Sequence, residues 1–317
     1  MAGPAMTGLA ADALCLKHDT GFGHPECPAR YEAVITGLEE AGLAGQLAPI
    51  PARDATRAEL RRVHTSHYLD LTEHHIKDGA TELSTGDTTV CDASWDAALR
   101  AAGLAISATD AVMKGRVANA FCAVRPPGHH ATADRGMGFC IFNNIAIAAR
   151  HARKEFGIER TLIVDWDVHH GNGTQDIFYG DGSVLFFSTH QWPLYPGTGR
   201  RNETGIGAGA GLTINCPLSA GAGRALVLSA MREELEPAAE RFRPELVLIS
   251  AGFDSRAGDP LGGFLLKNDD FAEMTRLVMG IADKYAGGRI VSILEGGYGL
   301  RILGGAVAAH VGALRNH

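Results

Sequence analysis

Four short apolar runs in this chain each break off at a polar cluster, and no other feature constrains the fold so tightly. They are NAFCAV before RPPGHH (125–130), TLIV before DWDVHHGNG, ELVLIS before AGFDSRAGD, and RIVSIL before EGGYG. Runs that are apolar at successive rather than alternate positions suit strands of a parallel sheet buried on both faces. Helical patterns lie between them, at 143–157, 222–242 and 268–288. This β-α-β alternation predicts an α/β fold with a central, mostly parallel sheet flanked by helices and joined by right-handed crossovers. Ligands of such sheets bind outside the carboxyl ends of the strands, so the four polar clusters are expected to converge on one rim.

With 317 residues, 45% hydrophobic and 21% charged, the chain can bury a large core. No repeat or low-complexity linker divides it, which predicts one domain over 1–317 with a flexible tail at 1–12. The formal net charge of -7, with no cluster of Lys or Arg, argues against nucleic acid or an anionic membrane surface as the main partner. The N-terminus lacks a basic leader region, and nowhere do roughly 18 apolar residues run together. A soluble cytoplasmic protein is the expectation. The six cysteines, Cys15, Cys27, Cys91, Cys122, Cys140 and Cys216, show no C-x-x-C spacing. That disfavours a zinc ribbon or a disulfide framework and points to mostly reduced core residues.

The richest cluster is VDWDVHHGNG (164–173). If the strand continues past Val164, Asp165, Asp167 and His169 share one side by the two-residue period. Two carboxylates and an imidazole on one face call for a cation, commonly zinc, with Fe(II) or Mn(II) also suited; a solvated turn is the plain alternative. Asp254, at the end of another run, could close the set, although alone it would read as a turn residue. His129 and His130 then become acid/base groups beside a water activated by the metal. Asp165 and Asn172 are candidate acceptors for their far ring nitrogens. Tyr298 offers a hydroxyl where a substrate carbonyl would gain negative charge, and is otherwise a core tyrosine.

RPPGHH, VDWDVHHGNGTQDIFY, ISAGFDSRAGDPLGG and LEGGYG, with GHPECPARYEAV near the N-terminus, resemble the zinc-dependent histone deacetylase and acetylpolyamine amidohydrolase family. The likeness is nearest the class II branch and its bacterial homologues, and it runs in order from His18 to Leu303. It implies the arginase/deacetylase fold, with Asp167, His169 and Asp254 as ligands of one zinc, His129 and His130 as the acid/base pair, and Tyr298 as the transition-state tyrosine. It also implies that Asp165 pairs with the first histidine and helps hold a structural potassium, along with Asp167, His169, Ser188 and Thr189. Gly138 and Phe139 match the acetyl-lysine channel, Tyr195 its opposite wall, and Asp87 a rim residue gripping substrate backbone. Arg30 matches an arginine at the bottom of an internal cavity. Asn172 stands where class I members have Asp. Tyr298 is kept where one class II subgroup has His and is nearly inactive, so the chain is expected to be competent. Leu261 occupies a position where the polyamine-selective class II member carries glutamate and protein-directed members carry leucine.

The substrate expected from the resemblance is an acetylated lysine in a protein or peptide. A small acetylated amine such as an acetylpolyamine is the alternative, and a silent acyl-lysine binder is disfavoured by the intact His129, His130 and Tyr298. The sequence does not specify an oligomeric state. GIGAGAG (205–211) lacks the strand-helix setting and acidic residue of a dinucleotide loop and reads as a glycine-rich loop at the site rim. His64, His67, His74 and His75 read as structural.

Overall fold

The computed structural model describes residues 6–316. Eight strands form one sheet: β1 (Gly8–Ala11), β2 (Ala48–Pro49), β3 (Asn119–Ala123), β4 (Thr161–Asp165), β5 (Val184–Gln191), β6 (Thr213–Leu218), β7 (Leu246–Ala251) and β8 (Ile290–Leu294). Their order is β2-β1-β3-β8-β7-β4-β5-β6, and every pairing is parallel. The four runs read from the sequence are β3, β8, β7 and β4, the contiguous centre of the sheet, and each is buried at every position. Their polar clusters therefore emerge side by side.

The helices are α1 (Ala29–Glu40), α2 (Arg57–Leu60), α3 (Ser66–Lys77), α4 (Ser94–Met113), α5 (Asn144–Phe156), α6 (Asn172–Phe178), α7 (Arg224–Ala230), α8 (Glu236–Phe242), α9 (Asn268–Ala286) and α10 (Leu300–Arg315). Asn143 caps α5 by accepting from the Ala146 N–H at 3.0 Å, and Gly157 ends it in the left-handed region at φ 69°. The pattern at 222–242 is one helical path in which α7 and α8 are joined by a π turn, Met231–Leu235. Pro237, which has no N–H for the carbonyl four residues back, stands two residues after the turn.

Residues 8–11 are not part of a flexible tail. They form β1, which pairs with β2 and, from Gly8↔Ala120 to Ala11↔Ala123, with β3. GLAA is short and its side chains are small, so it carries no apolar periodicity; its place comes from the ladder and from burial against α4. Residues 1–5 lie outside the described part. All six cysteines are free thiols, with Cys27 and Cys91 partly exposed and the other four buried. Among the described residues, no helix is long and apolar enough to cross a membrane.

Candidate active site

The strand period stops at Asp165, and the chain then bends rather than continuing extended. Asp165 Oδ1 accepts the N–H of Asp167 at 3.0 Å, and Asp167 Oδ1 accepts that of His169 at 2.9 Å. These turns aim the acids in different directions. Asp165 does not share a face with Asp167 and His169; its Oδ2 goes to His129 Nδ1 at 2.9 Å. Asp254 takes the vacated place, with Oδ1 accepting from Val168 N–H at 2.8 Å. His169 Nδ1 lies 3.0 Å from Asp167 Oδ1 and 3.1 Å from Asp254 Oδ2, and one ligand atom from each of the three lies within 4.8 Å of the others. All three residues are buried.

These three side chains could hold a metal ion. Two carboxylates and an imidazole face one point, with Asp165 and Glu295 also buried nearby, so acidic groups outnumber the bases that could balance them. Burial and the neighbouring Asp167 push the Asp254 carboxyl up to about 7. Against the same burial penalty, His129 and His169 hold Asp167 well below the usual carboxylate range.

His129 and His130 stack at 4.0 Å between ring centroids, yet they have unlike partners. Burial works against charge on both rings. For His129 it is outweighed by Asp165 and Asp167, which raise the ring well above its ordinary pKa. For His130 burial is reinforced by His129 and His169, and the ring falls well below its ordinary value. His130 Nδ1 lies 2.8 Å from Asn172 Oδ1, while the Asn172 amide nitrogen faces His130 O and Met137 Sδ. The amide oxygen thus accepts from Nδ1–H, leaving Nε2 as the basic nitrogen.

Tyr298 sits on the other side of the donor set. Its N–H donates to Asp259 Oδ2 at 2.7 Å, its ring meets Phe139 edge-on at 5.8 Å, and the Arg30 guanidinium lies 4.8 Å from its centroid. The preceding glycines are required here. A Cβ on Gly296 would collide with the carboxylates of Asp254 and Asp167, and Gly297 has φ 124°. Arg30 is fully buried and donates to the carbonyls of Gly297 and Glu295, at 2.6 and 2.5 Å; it is not a surface helix residue.

A cavity of about 280 Å³ opens above these groups. It is lined by the buried His130, His169 and Tyr298 at its floor and by Gly138, Phe139, Leu194, Leu261 and the more exposed Tyr195 and Asp87 around them. Phe139 holds φ 67°, a strained value for a side-chain-bearing residue that turns its ring into the cavity wall. Asp87 Oδ1 accepts from Gly138 N–H at 2.7 Å and from the Tyr195 hydroxyl at 3.3 Å, which ties the two walls together. On the far side of Asp165, Ser188 pairs with it in the β4–β5 register; both it and Thr189 are buried. Ser188 Oγ also lies 2.9 Å from His190 Nδ1.

Some expectations fail. The 205–211 loop is not at the site rim. Ile206 N–H bonds to Tyr179 O and Phe186 N–H to Leu212 O, which puts the loop where β6 begins, at the amino ends of the strands. The β5–β6 connection must recross the sheet to start a parallel strand, and this glycine-rich stretch completes the return. His64 is structural, buried against Tyr68 and Phe142 and accepting from Asn143 N–H at 3.0 Å; His74 is exposed and pairs with Asp78. Sequence reasoning missed Asp259, which accepts the N–H groups of Leu261, Tyr298 and Gly299. It also gave no role to Glu295, although both acids stand inside quoted motifs. The available signal was an acid next to glycine, directly after the apolar strand for Glu295 and in the loop that follows β7 for Asp259.

The sequence model of the histone deacetylase domain matches residues 24–314. A probable deacetylase of Archaeoglobus fulgidus is 41% identical over 295 residues, 92% of this chain and 81% of that protein. A histone deacetylase-like amidohydrolase of Pseudomonas aeruginosa is 39% identical over 310 residues, again 92% and 81%. The mouse polyamine deacetylase HDAC10 is 42% identical over 91% of this chain and 44% of its own length. The crystal structure of the HDA15 HD domain superposes with a TM-score of 0.93 at 39% identity, covering 98% of this chain and 90% of that one.

Proposed function

The chain belongs to the histone deacetylase family, whose members hydrolyse amide bonds, and from that premise we propose that its cavity accepts an acetylated lysine side chain of a protein or peptide. One observation carries this reading: a cavity walled by Phe139 and Tyr195 ends on a floor where a buried metal-type donor set, an imidazole and a phenol meet. The aliphatic stem of lysine lies between the aromatic walls, and its acyl carbonyl reaches the floor. Gly138 O accepts the substrate amide N–H, and Asp87 holds substrate backbone at the rim.

Asp167, His169 and Asp254 fit one divalent ion, zinc as is general in the family, with Fe2+ as the other candidate. When bound, the ion supplies Lewis acidity toward the carbonyl and lowers the pKa of water. His130 takes the proton of the attacking water at Nε2 and returns it to the departing amine. His129, held by Asp165, stands beside it as a positively polarised neighbour. Tyr298 donates its hydroxyl to the oxygen that gains negative charge. Asp165, Asp167, His169, Ser188 and Thr189 would hold a structural potassium, a reading supported by the Asp165↔Ser188 register.

Leu261 favours lysine peptides over acetylated polyamines. Its apolar side chain gives a second cationic centre no partner on that side of the cavity, and Asp87 across from it already accepts from Gly138 N–H and the Tyr195 hydroxyl, so desolvating that centre costs roughly 1–3 kcal/mol. We expect higher kcat/KM on acetyl-lysine peptides than on N-acetylspermidine, with Leu261→Glu narrowing or reversing the preference. A parent enzyme that prefers the polyamine would overturn this. Elemental analysis should find one divalent ion per chain, and chelation should abolish turnover; full activity in metal-free protein would refute the mechanism.

A further inference from the structure

Glu295 follows β8 and leads into the two glycines before Tyr298, yet its side chain turns away from the tyrosine and beneath the two-histidine turn. Its Oε2 accepts two consecutive backbone N–H groups, Gly128 at 2.7 Å and His129 at 3.1 Å. Its Oε1 accepts the hydroxyl of Ser250, on β7, at 3.0 Å. The residue is fully buried, and its own backbone is fixed by Ala251 O and by Arg30. On the opposite side Gly128 lies so close to Phe142 O and Asn144 N that it has no room for a Cβ. The 128–129 peptide is therefore clamped between the α5 N-terminus and one carboxyl group.

We propose that Glu295 is a positioning residue for the acid/base pair, fixing by hydrogen-bond reach rather than by charge the backbone from which His129 and His130 project. The inference rests on the acid/base assignment made above. Burial raises the Glu295 carboxyl to about 7, against the pull of His129 and of the two N–H donors, so near neutrality both of its protonation states are populated. A protonated carboxyl, or a glutamine, keeps the same geometry: one oxygen accepts both N–H groups while the other arm donates to Ser250 Oγ. An aspartate keeps the charge but is one methylene too short to span both partners.

Glu295→Gln and Glu295→Asp therefore separate reach from charge. The Gln variant should keep kcat within roughly threefold, while the Asp variant should lose roughly 10–100-fold in kcat with KM changed less than about threefold, since small misplacements of reacting groups act on the chemical step. Amide exchange at Gly128 and His129 should be slow in the parent and in Gln, and faster by roughly tenfold or more in Asp, with thermal midpoints recorded for both variants. The proposal is overturned if Asp matches or exceeds Gln in kcat, if the loss falls on KM alone, or if the parent's Gly128 and His129 amides exchange freely, a result that needs no variant to fold. His130→Ala distinguishes the two levels. If it turns over like the parent, the acid/base assignment fails, whereas an inactive His130→Ala beside a fully active Glu295→Asp removes only the role of Glu295.

Discussion

Adjacent residues of the same type become different chemical groups through single contacts. Asp165 and Asp167 outweigh burial at His129, whereas burial at His130 is reinforced by His129 and His169, and this pulls their proton affinities apart across 4.0 Å between ring centroids. Tyr298 is placed by its backbone: Asp259 holds its N–H, and Phe139 with Arg30 hold its ring. Removing only its hydroxyl leaves this support intact. We therefore expect Tyr298→Phe to fold and bind metal like the parent while kcat falls on the order of 10²–10³, the usual effect of deleting one donor to a developing oxyanion. Steady-state kinetics with metal analysis of the same sample checks this, and turnover at the parent rate would remove Tyr298 from the chemistry.

The elements legible in the sequence were those whose burial is total. β3, β4, β7 and β8 are enclosed on both faces, so each reads as an unbroken apolar run. β1 and β2 are too short to show a pattern, and β6 mixes Asn215 and Pro217 into an edge position. Helix contacts were equally hidden. Gly37 of α1 meets Gly304 of α10 so closely that a Cβ on Gly37 would collide with the Gly304 backbone. Gly37→Ala should destabilise the protein by about 1–3 kcal/mol through overpacking, despite the better helix propensity of alanine. Denaturant titration would read the loss; equal or greater stability would mean the two helices can separate without penalty.

Several buried histidines favour the neutral form in the folded molecule. Burial lowers His18, His64 and His190 to about 4, and His310 to about 3, from an ordinary value of 6.5. Below about 6.5 the unfolded chain takes up protons that the folded protein refuses, so the stability these groups confer is full above that pH and declines toward 4. Asp254 and Glu295, raised by burial to about 7, act in the opposite sense, so a difference measurement isolates one ring. His310 Nε2 faces Ser292 Oγ at 2.8 Å and its Nδ1 faces Thr275 Oγ1 at 2.6 Å, within an aromatic surround of Phe121, Trp166 and Phe253. His310→Phe should be less stable than the parent by about 1–3 kcal/mol at pH 8, because Ser292 loses its buried acceptor. The gap should narrow as pH falls to 5, since only the parent carries the penalty of keeping that ring neutral. Thermal midpoints of both proteins across this range provide the test, and a gap constant with pH would contradict it.

The sequence by itself determined the sheet centre and the convergence of its four polar clusters, because double-sided burial and strand ends leave local composition signals. Motif spacing with the family resemblance named Asp167, His169, Asp254, His129, His130 and Tyr298, and the structure gathers all six around one cavity floor. Only the tertiary structure decided that Asp165 turns from that donor set to His129, that the 205–211 glycines lie at the opposite end of the sheet, and that Glu295 and Asp259 grip the backbone beneath the reacting groups. For the three acids the physical reason is shared: a carboxylate's role depends on which N–H groups reach it, and those donors come from chain segments distant in sequence; the glycine loop is placed by the β5–β6 connection recrossing the sheet, and both are settled only when the sheet assembles.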